Sequence, residues 1–309
     1  MTKRDPFHEG ELRVQERAGE AAMGRRRERL IADHIVPRAW PFLVRQSMVV
    51  LGSLDPEGNV WASLLFGRPG FVRVPEPRRV AFDLSAALMR PGDPLWANVA
   101  RDGRLGMLFI DLTTRQRLRV NGHAVRRGDL LRVDVRESYP NCPKYIRQRH
   151  FSPRPEAFAP LLHWETGEIL KAEHRALIEA ADTFFVASAH PERGVDASHR
   201  GGSPGFVRFV DAHTIRIPDY RGNSMFNTLG NFAVYPHGGL VFMDFDAPRT
   251  LQLIGRVRLL WDVENEGGDA EDTGRYWEFT VERWSEGALP EGWTWEFPGA
   301  SSHDPRATS

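Results

Sequence analysis

The chain has 309 residues, 41% hydrophobic and 27% charged, with 41 Lys plus Arg against 41 Asp plus Glu. This is the composition of a soluble globular protein long enough for two ordinary domains, and the balanced charge removes the electrostatic case for a nucleic-acid or anionic-membrane partner. No apolar run is long enough to span a bilayer, no apolar core follows the basic residues of the opening segment, and the single cysteine, Cys142, permits neither an internal disulfide nor a cysteine-based metal site. A reducing, cytoplasmic home is the expectation. The eleven histidines show no HExxH spacing, so no metal site is expected either.

In chain order, residues 1–40 read as an N-terminal helical segment whose amphipathic helix runs from Glu11 to Ile31. Its run Arg25-Arg-Arg-Glu-Arg29 is expected on a solvated face. Residues 41–150 read as a first β-rich unit with one helix near Asp93–Arg101 and a last strand at Leu131–Arg136. Residues 151–181 form a linker with a helix from Glu165 to Ala181, carrying Ile169, Leu170, Leu177 and Ile178 on one stripe. Residues 182–300 form a second β-rich unit. In it, Gly205–Val210 and Thr214–Pro218 make a hairpin around Asp211-Ala-His213, and Leu240–Phe245 and Thr250–Val257 make another. Gly255 reads as a bulge or close-approach point. Phe226 to Tyr235 has helical spacing and Pro236 stops it. Glu264–Asp272 is an acidic, Gly-rich hairpin tip, Tyr276–Trp284 a closing strand, and residues 301–309 a disordered tail.

The two β-rich units are one plan of roughly 130 residues written twice. Ser63-Leu-Leu-Phe-Gly-Arg-Pro-Gly-Phe-Val-Arg73 matches Ser198-His-Arg-Gly-Gly-Ser-Pro-Gly-Phe-Val-Arg208, and Gly106-Met-Leu-Phe-Ile-Asp111 matches Gly239-Leu-Val-Phe-Met-Asp244. Leu118–Gly122 likewise matches Leu251–Gly255. Mainly β structure with one inserted helix per copy points to a small closed barrel, because closure removes exposed edges. The copies differ in polar residues. The second has Arg200 where the first has Leu65, and Asn227 where the first has Pro94. Its loop Asp219-Tyr-Arg-Gly-Asn223 opens a helix, whose free N–H groups and dipole favour an anion, and Arg200 can grip a phosphate bidentately. The contrast suits one competent site and one structural copy.

These same residues resemble the pyridoxamine 5′-phosphate oxidase-like flavoproteins. The resemblance is carried by Ser198–Arg208, Ile217–Asn223, Phe226–Asn231 and Gly239–Phe245, while Phe7–Gln15 and Asn141–Arg147 look like the tandem, two-barrel branch. It extends from about Phe7 to Trp284. It implies two tandem split β-barrels of the FMN-binding type, with the first copy degenerate and FMN held non-covalently between them. By that resemblance Ser198 and Arg200 contribute from a strand, and Arg221, Asn223 and Asn227 from the loop. Pro218, Asp219 and Tyr220 pass the ring edge, and Gln252 meets the ring's polar edge. Apart from the resemblance, His199, between Ser198 and Arg200 on the strand, is a further cofactor-site candidate, either an acid–base group like His237 or a packing residue. Likewise, Asn141-Cys-Pro-Lys-Tyr145 follows the last strand of the first copy, so it either folds over a cleft between the barrels, with Lys144 toward the phosphate and Cys142 near the ring, or is a structural strand-exit turn with a buried thiol. Asn227 stands where oxidases of pyridoxamine phosphate carry a Lys, which argues against that activity. The implied role is a redox enzyme acting on a small molecule, with a reductase on another chain and a homodimer as candidate partners. Alternatives are a haem-binding or haem-degrading split barrel liganded by His199 or His237, and a non-catalytic flavin-binding protein.

Overall fold

The computed structural model describes residues 5–152, 164–247, 249–264, 272–289 and 294–296. The acidic insert, for the most part, and the 301–309 tail lie outside them. The first unit contributes β1 (Met48–Leu54), β2 (Val60–Gly67), β3 (Val72–Glu76), β4 (Arg79–Asp83), β5 (Ala87–Leu88), β6 (Arg104–Asp111), β7 (Gln116–Arg127) and β8 (Leu130–Pro140). After the short β9 (His150–Ser152) come β10 (Trp164–Gly167), β11 (Thr183–His190), β12 (Gly194–Gly201), β13 (Arg208–Phe209), β14 (Thr214–Pro218), β15 (His237–Asp244), β16 (Arg249–Leu260) and β17 (Tyr276–Ala288). A last strand, β18 (Thr294–Glu296), pairs with β9.

The duplication is visible in the topology. The first sheet runs β3-β4-β8-β7-β6-β1-β2 with β5 beyond, and the second runs β13-β14-β17-β16-β15-β11-β12, the same order strand for strand. Each is a curled antiparallel sheet around its own core. Both carry a register shift at matching glycines, Gly122 on β7 and Gly255 on β16. A Cβ on Gly255 would lie 2.0 Å from the Thr280 carbonyl oxygen, and one on Gly122 would lie 2.3 Å from that of Asp134. Gly255→Ala is therefore expected to lower the melting temperature sharply, whereas Gly222→Ala, which meets nothing nearer than 3.9 Å, should leave it within about 1 °C of wild type, as surface changes do.

The central strands are apolar at nearly every position because both of their faces are buried. On β1, Val49 and Leu51 enter the core of the first barrel, while Met48 and Val50 face a separate core between the halves. On β11 and β15 the alternation repeats: Phe184, Val186, Leu240 and Phe242 fill the second barrel, and Phe185, Ala187, Val241 and Met243 enter the shared core. The two barrels thus pack sheet to sheet within one chain.

Two expected helices differ. The N-terminal one is broken into α1 (Glu9–Arg17) and α2 (Ala21–Arg27), because the chain turns at Gly19 with φ +69°. The arginine run lies on an exposed face, as read. The linking helix spans only Ala172–Ala180. Trp164–Gly167 instead adds a strand to β17, and Ile169 is 76% exposed rather than on the buried stripe. Tertiary pairing overrides local helical propensity there, since the Trp164 ring covers Gly287 and stacks under Arg90. Two further helices, Leu95–Arg101 and Asn227–Val234, follow matching connections in the two halves.

Candidate functional site

Strand β12 leaves the second barrel with Ser198, His199 and Arg200 in succession. The helix Asn227–Val234 points its N-terminus at the same place. Its N-cap, Phe226, has φ +59° and makes no side-chain cap, so the first-turn N–H groups carry no capping side chain. Ser224 also has positive φ, whereas Gly222 does not. The tight turning is thus done by Ser224 and Phe226, a strained pair of the kind found at ligand clamps. Asn223 does not cap the helix; its Oδ1 accepts from the Met225 N–H (3.1 Å) and shapes the loop.

Between these elements and the first barrel lies a cavity of about 90 Å³. Of the residues singled out in the sequence, Ser198, His199, Arg200, Pro218, Asp219, Tyr220, Asn223, Asn227 and Lys144 line it, together with Cys142. Arg221 does not; its side chain is exposed and its carbonyl accepts from the Tyr145 hydroxyl (2.9 Å). Gln252 is also elsewhere, fully buried on the face toward the first barrel. His237 lies outside the cavity too, its ring against Tyr235.

The largest surprise is what the first barrel supplies. Arg117 and Arg119 of β7 enter the cavity wall. Arg119 donates to Asp196 (2.8 Å), to the Ser198 hydroxyl (2.5 Å) and to Asn227 Oδ1 (3.4 Å). Arg117 donates to the Cys142 carbonyl (2.8 Å) and to His199 Nδ1 (3.2 Å). Burial, reinforced by Arg119 and Arg200, pulls Arg117 down to about 9, leaving it charged at neutral pH. Burial, with Arg117 and Arg200 adding to it, holds His199 well below its ordinary value. His199 is neutral, and because Nδ1 accepts from Arg117 its proton sits on Nε2.

Asp219 is engaged by Arg275 (3.1 Å), which also bonds Glu20 (3.2 Å). Asp196 answers Arg119. Arg117 and Arg200 have no carboxylate within bonding distance among the described residues, so the wall is net cationic. Several groups here are buried without a hydrogen-bond partner among the described residues: Nε of Arg119, Nε of Arg200, Nε2 of His199 and Oγ1 of Thr228. Buried donors are ordinarily satisfied, and a set of unmet donors at a helix N-terminus is the signature of an anion seat.

The pseudo-symmetric position in the other half is occupied by a side-chain network, in which Nε and Nη1 of Arg90 are likewise buried without a hydrogen-bond partner among the described residues. There Thr250 and Gln252 on β16 take the places of Arg117 and Arg119. Gln252 Nε2 donates to the Ala62 carbonyl (2.8 Å) and to Ser63 Oγ (2.9 Å), Ser63 donates to Asp93 (2.6 Å), and Arg90 donates to Thr250 (2.5 Å). Gln252 therefore belongs to the closed counterpart and not to the open cavity. Arg117 and Arg119 belong to the first copy, and the sequence signal that marks them is their contrast with the uncharged Thr250 and Gln252 at the matching positions of the second.

Residues 170–285 match the family model for pyridoxamine 5′-phosphate oxidase. No curated protein matches the chain. Among solved structures, HupZ of Group A Streptococcus is 14% identical, covering 43% of this chain and 99% of its own, with TM-score 0.31. A Clostridium acetobutylicum protein of the pyridoxinephosphate oxidase family, related to a general stress protein of B. subtilis, is 14% identical over 41% and 92% (TM-score 0.30). A FAD-binding protein of Mesorhizobium loti is 10% identical over 41% and 99% (TM-score 0.29). Likenesses this distant carry no argument of their own, and the fold rests on the strand order above. Among the described residues no helix is long and apolar enough to cross a membrane. With two matching curled sheets in place, it is the second half of the chain, the half that holds the helix-capped cavity, that matches the pyridoxamine 5′-phosphate oxidase family.

Proposed function

We propose that the protein binds FMN with its phosphate in the Arg117–Arg119–Arg200 cavity and serves as a flavin-dependent oxidoreductase for a small-molecule substrate. The observation that carries this reading is the set of buried, unmet donors on a net cationic wall at a helix N-terminus. A phosphate monoester brings two negative charges and three acceptor oxygens to such a wall. The cavity is of the size for a phosphate group, leaving a ring system to lie toward its mouth, where Cys142, Lys144, Tyr145 and Tyr220 stand. The bound flavin would supply hydride or electron transfer, and the chain its placement and electrostatics. Arg200, Arg119, Thr228 and the first-turn N–H groups would hold the phosphate, and His199 would offer its Nε2 proton as a neutral donor. The haem reading is not favoured, because His199 Nδ1 accepts from Arg117, which leaves its Nε2 carrying the proton rather than a lone pair, and His237 lies outside the cavity.

Titration with FMN, followed by visible absorbance, is expected to saturate at one flavin per chain, since the counterpart position is filled. Riboflavin, which lacks the phosphate, should bind at least a hundredfold more weakly, on the order of the 3 kcal/mol that charge-assisted contacts supply. Equal affinity for the two, or a protein that binds neither, would sink the assignment.

A further inference from the structure

Behind the phosphate cavity is a second, smaller one of about 30 Å³, sharing Asn227 as a wall. It gathers three carboxyl groups from three elements: Glu11 of α1, Glu137 of β8 and Asp196 of β12. Glu11 is 4% exposed. Its Oε2 accepts from the His8 N–H (2.8 Å), and its Oε1 accepts from Asn227 Nδ2 (2.5 Å). The other end of that amide, Oδ1, accepts from Arg119 (3.4 Å). Asn227 is thus clamped between a buried carboxyl on one side and the phosphate-cavity guanidinium on the other.

The remaining neighbours are few. Asp196 accepts from Arg119, Asn121 (3.2 Å) and the Tyr139 hydroxyl (3.0 Å). Arg193 lies at the edge and spends its guanidinium on the carbonyls of Asp5 and Phe7. His8 stands 3.4 Å from Glu11, with the His190 ring 4.3 Å beyond it. His8 Nδ1 accepts from the Gly10 N–H and burial holds its ring well below the ordinary value, so it is neutral with its proton on Nε2, while His190 turns its Nε2 to Glu9 (3.0 Å), away from the three acids. Arg119 is thus a cation that acts on all three carboxyl groups, bonding Asp196 directly, while Arg193 acts on Glu137 from the edge. Burial pushes Glu11 up to about 8 and Glu137 up to about 7. One acceptor in the same small cavity, Asn121 Oδ1, is buried without a donor among the described residues. A proton on Glu137, whose carboxyl bonds the Asn121 side chain, would supply that donor.

We propose that Glu11 is a proton-accepting positioning residue, and that seating a phosphate dianion on Arg119 and Asn227 is accompanied by proton uptake at Glu11 and Glu137 behind them. This rests on the phosphate-seat reading above. The dianion draws on the guanidinium that otherwise answers the three acids. Keeping Glu11 ionised then becomes costlier, and the neutral acid still accepts from His8 and Asn227. By linkage, the same coupling acts in both directions. Glu11 holds its proton below about pH 8, so affinity for the dianion falls as pH rises through that value.

The test uses the full chain with FMN, and inorganic phosphate as a second probe, by titration calorimetry at pH 8.5 in two buffers of different ionisation enthalpy. Both ligands are dianionic there, so any proton taken up is taken up by the protein. The wild type is expected to take up a proton on binding and to lose affinity by up to about tenfold per pH unit between pH 8 and 9. Glu11→Gln, which mimics the protonated acid, should bind FMN at pH 8.5 at least as tightly as the wild type and show a shallower pH slope. Arg117 titrates in both proteins, so the difference between slopes isolates Glu11. Binding by the wild type with no proton uptake would overturn the proposal and leave the flavin reading standing. Failure to bind either probe at any pH would remove both. Weaker binding by Glu11→Gln at every pH, with an unchanged slope, would reduce Glu11 to a structural prop and overturn the proton role.

Discussion

Arg200→Ala is expected to emerge from desalting without flavin, while its thermal unfolding stays close to that of the wild type. Its guanidinium has Nε buried without a partner, and Nη1 bonds only the Ser198 hydroxyl (3.2 Å) and the His199 carbonyl (3.3 Å). Removing it breaks no hydrogen bond to a carboxylate, and the buried Asp219, whose charge Arg200 helps to offset, keeps its bond to Arg275, so the loss to the fold is small beside the loss to the phosphate. The phosphate loses a charge-assisted pair, about 2–4 kcal/mol or some thirty- to thousandfold in affinity. The mirror experiment is Leu65→Ala at the matching strand position. Leu65 is 1% exposed in the first barrel's core, so its truncation should cost about 2–5 kcal/mol of stability and leave flavin affinity intact. Loss of flavin from both variants in equal measure would mean that the halves do not divide labour in this way.

Asp196→Ala should produce the opposite pattern, a protein that melts early and is partly restored by ligand. Asp196 is 4% exposed and accepts from Arg119, Asn121 and Tyr139 together. Deleting it strands Arg119 in the interior without its counter-charge, a change that costs about 3–5 kcal/mol, on the order of ten degrees in a protein of this size. FMN supplies negative charge to the same guanidinium, so saturating FMN should raise the melting temperature of Asp196→Ala by more than it raises that of the wild type. An equal rise in the two proteins would show that Arg119 does not meet the phosphate.

Much of the fold was legible because β-strands buried on both faces write themselves as unbroken apolar runs, as in Phe184-Phe-Val-Ala, and because duplication lets one half annotate the other. Gly255 was readable as a bulge because it interrupts the period-two face of Leu251, Leu253 and Val257, and the register shifts both there and at the matching Gly122. The helices at Glu11–Ile31 and Glu165–Ala181 were misjudged where long-range contacts decide. Gly19 lets the chain turn to lay α2 beside Gln15, and Trp164 is drawn into a strand by its seat over Gly287. In the site, residues clustered along the second copy were found together, since strand and loop carry them in sequence. Arg117, Arg119 and Thr228 were not, because their meaning lies in which barrel faces which. Glu11 was hidden for the same reason; Gly10 lets α1 approach so close that a Cβ there would sit 2.2 Å from the Gly230 carbonyl oxygen, and nothing local announces that approach.

The filled counterpart at Arg90, Asp93 and Gln252 has a consequence for how such a molecule can change over time. Two identical subunits related by a rotation axis must carry every side chain in duplicate, so any gain at one seat is imposed on its twin, and two clusters of like charge confront each other across the dimer. A chain that holds both halves in tandem is released from that bargain. It can keep Arg119 where cargo is gripped and write Gln252 at the opposite address, concentrating positive potential on one side and spending the other on cohesion.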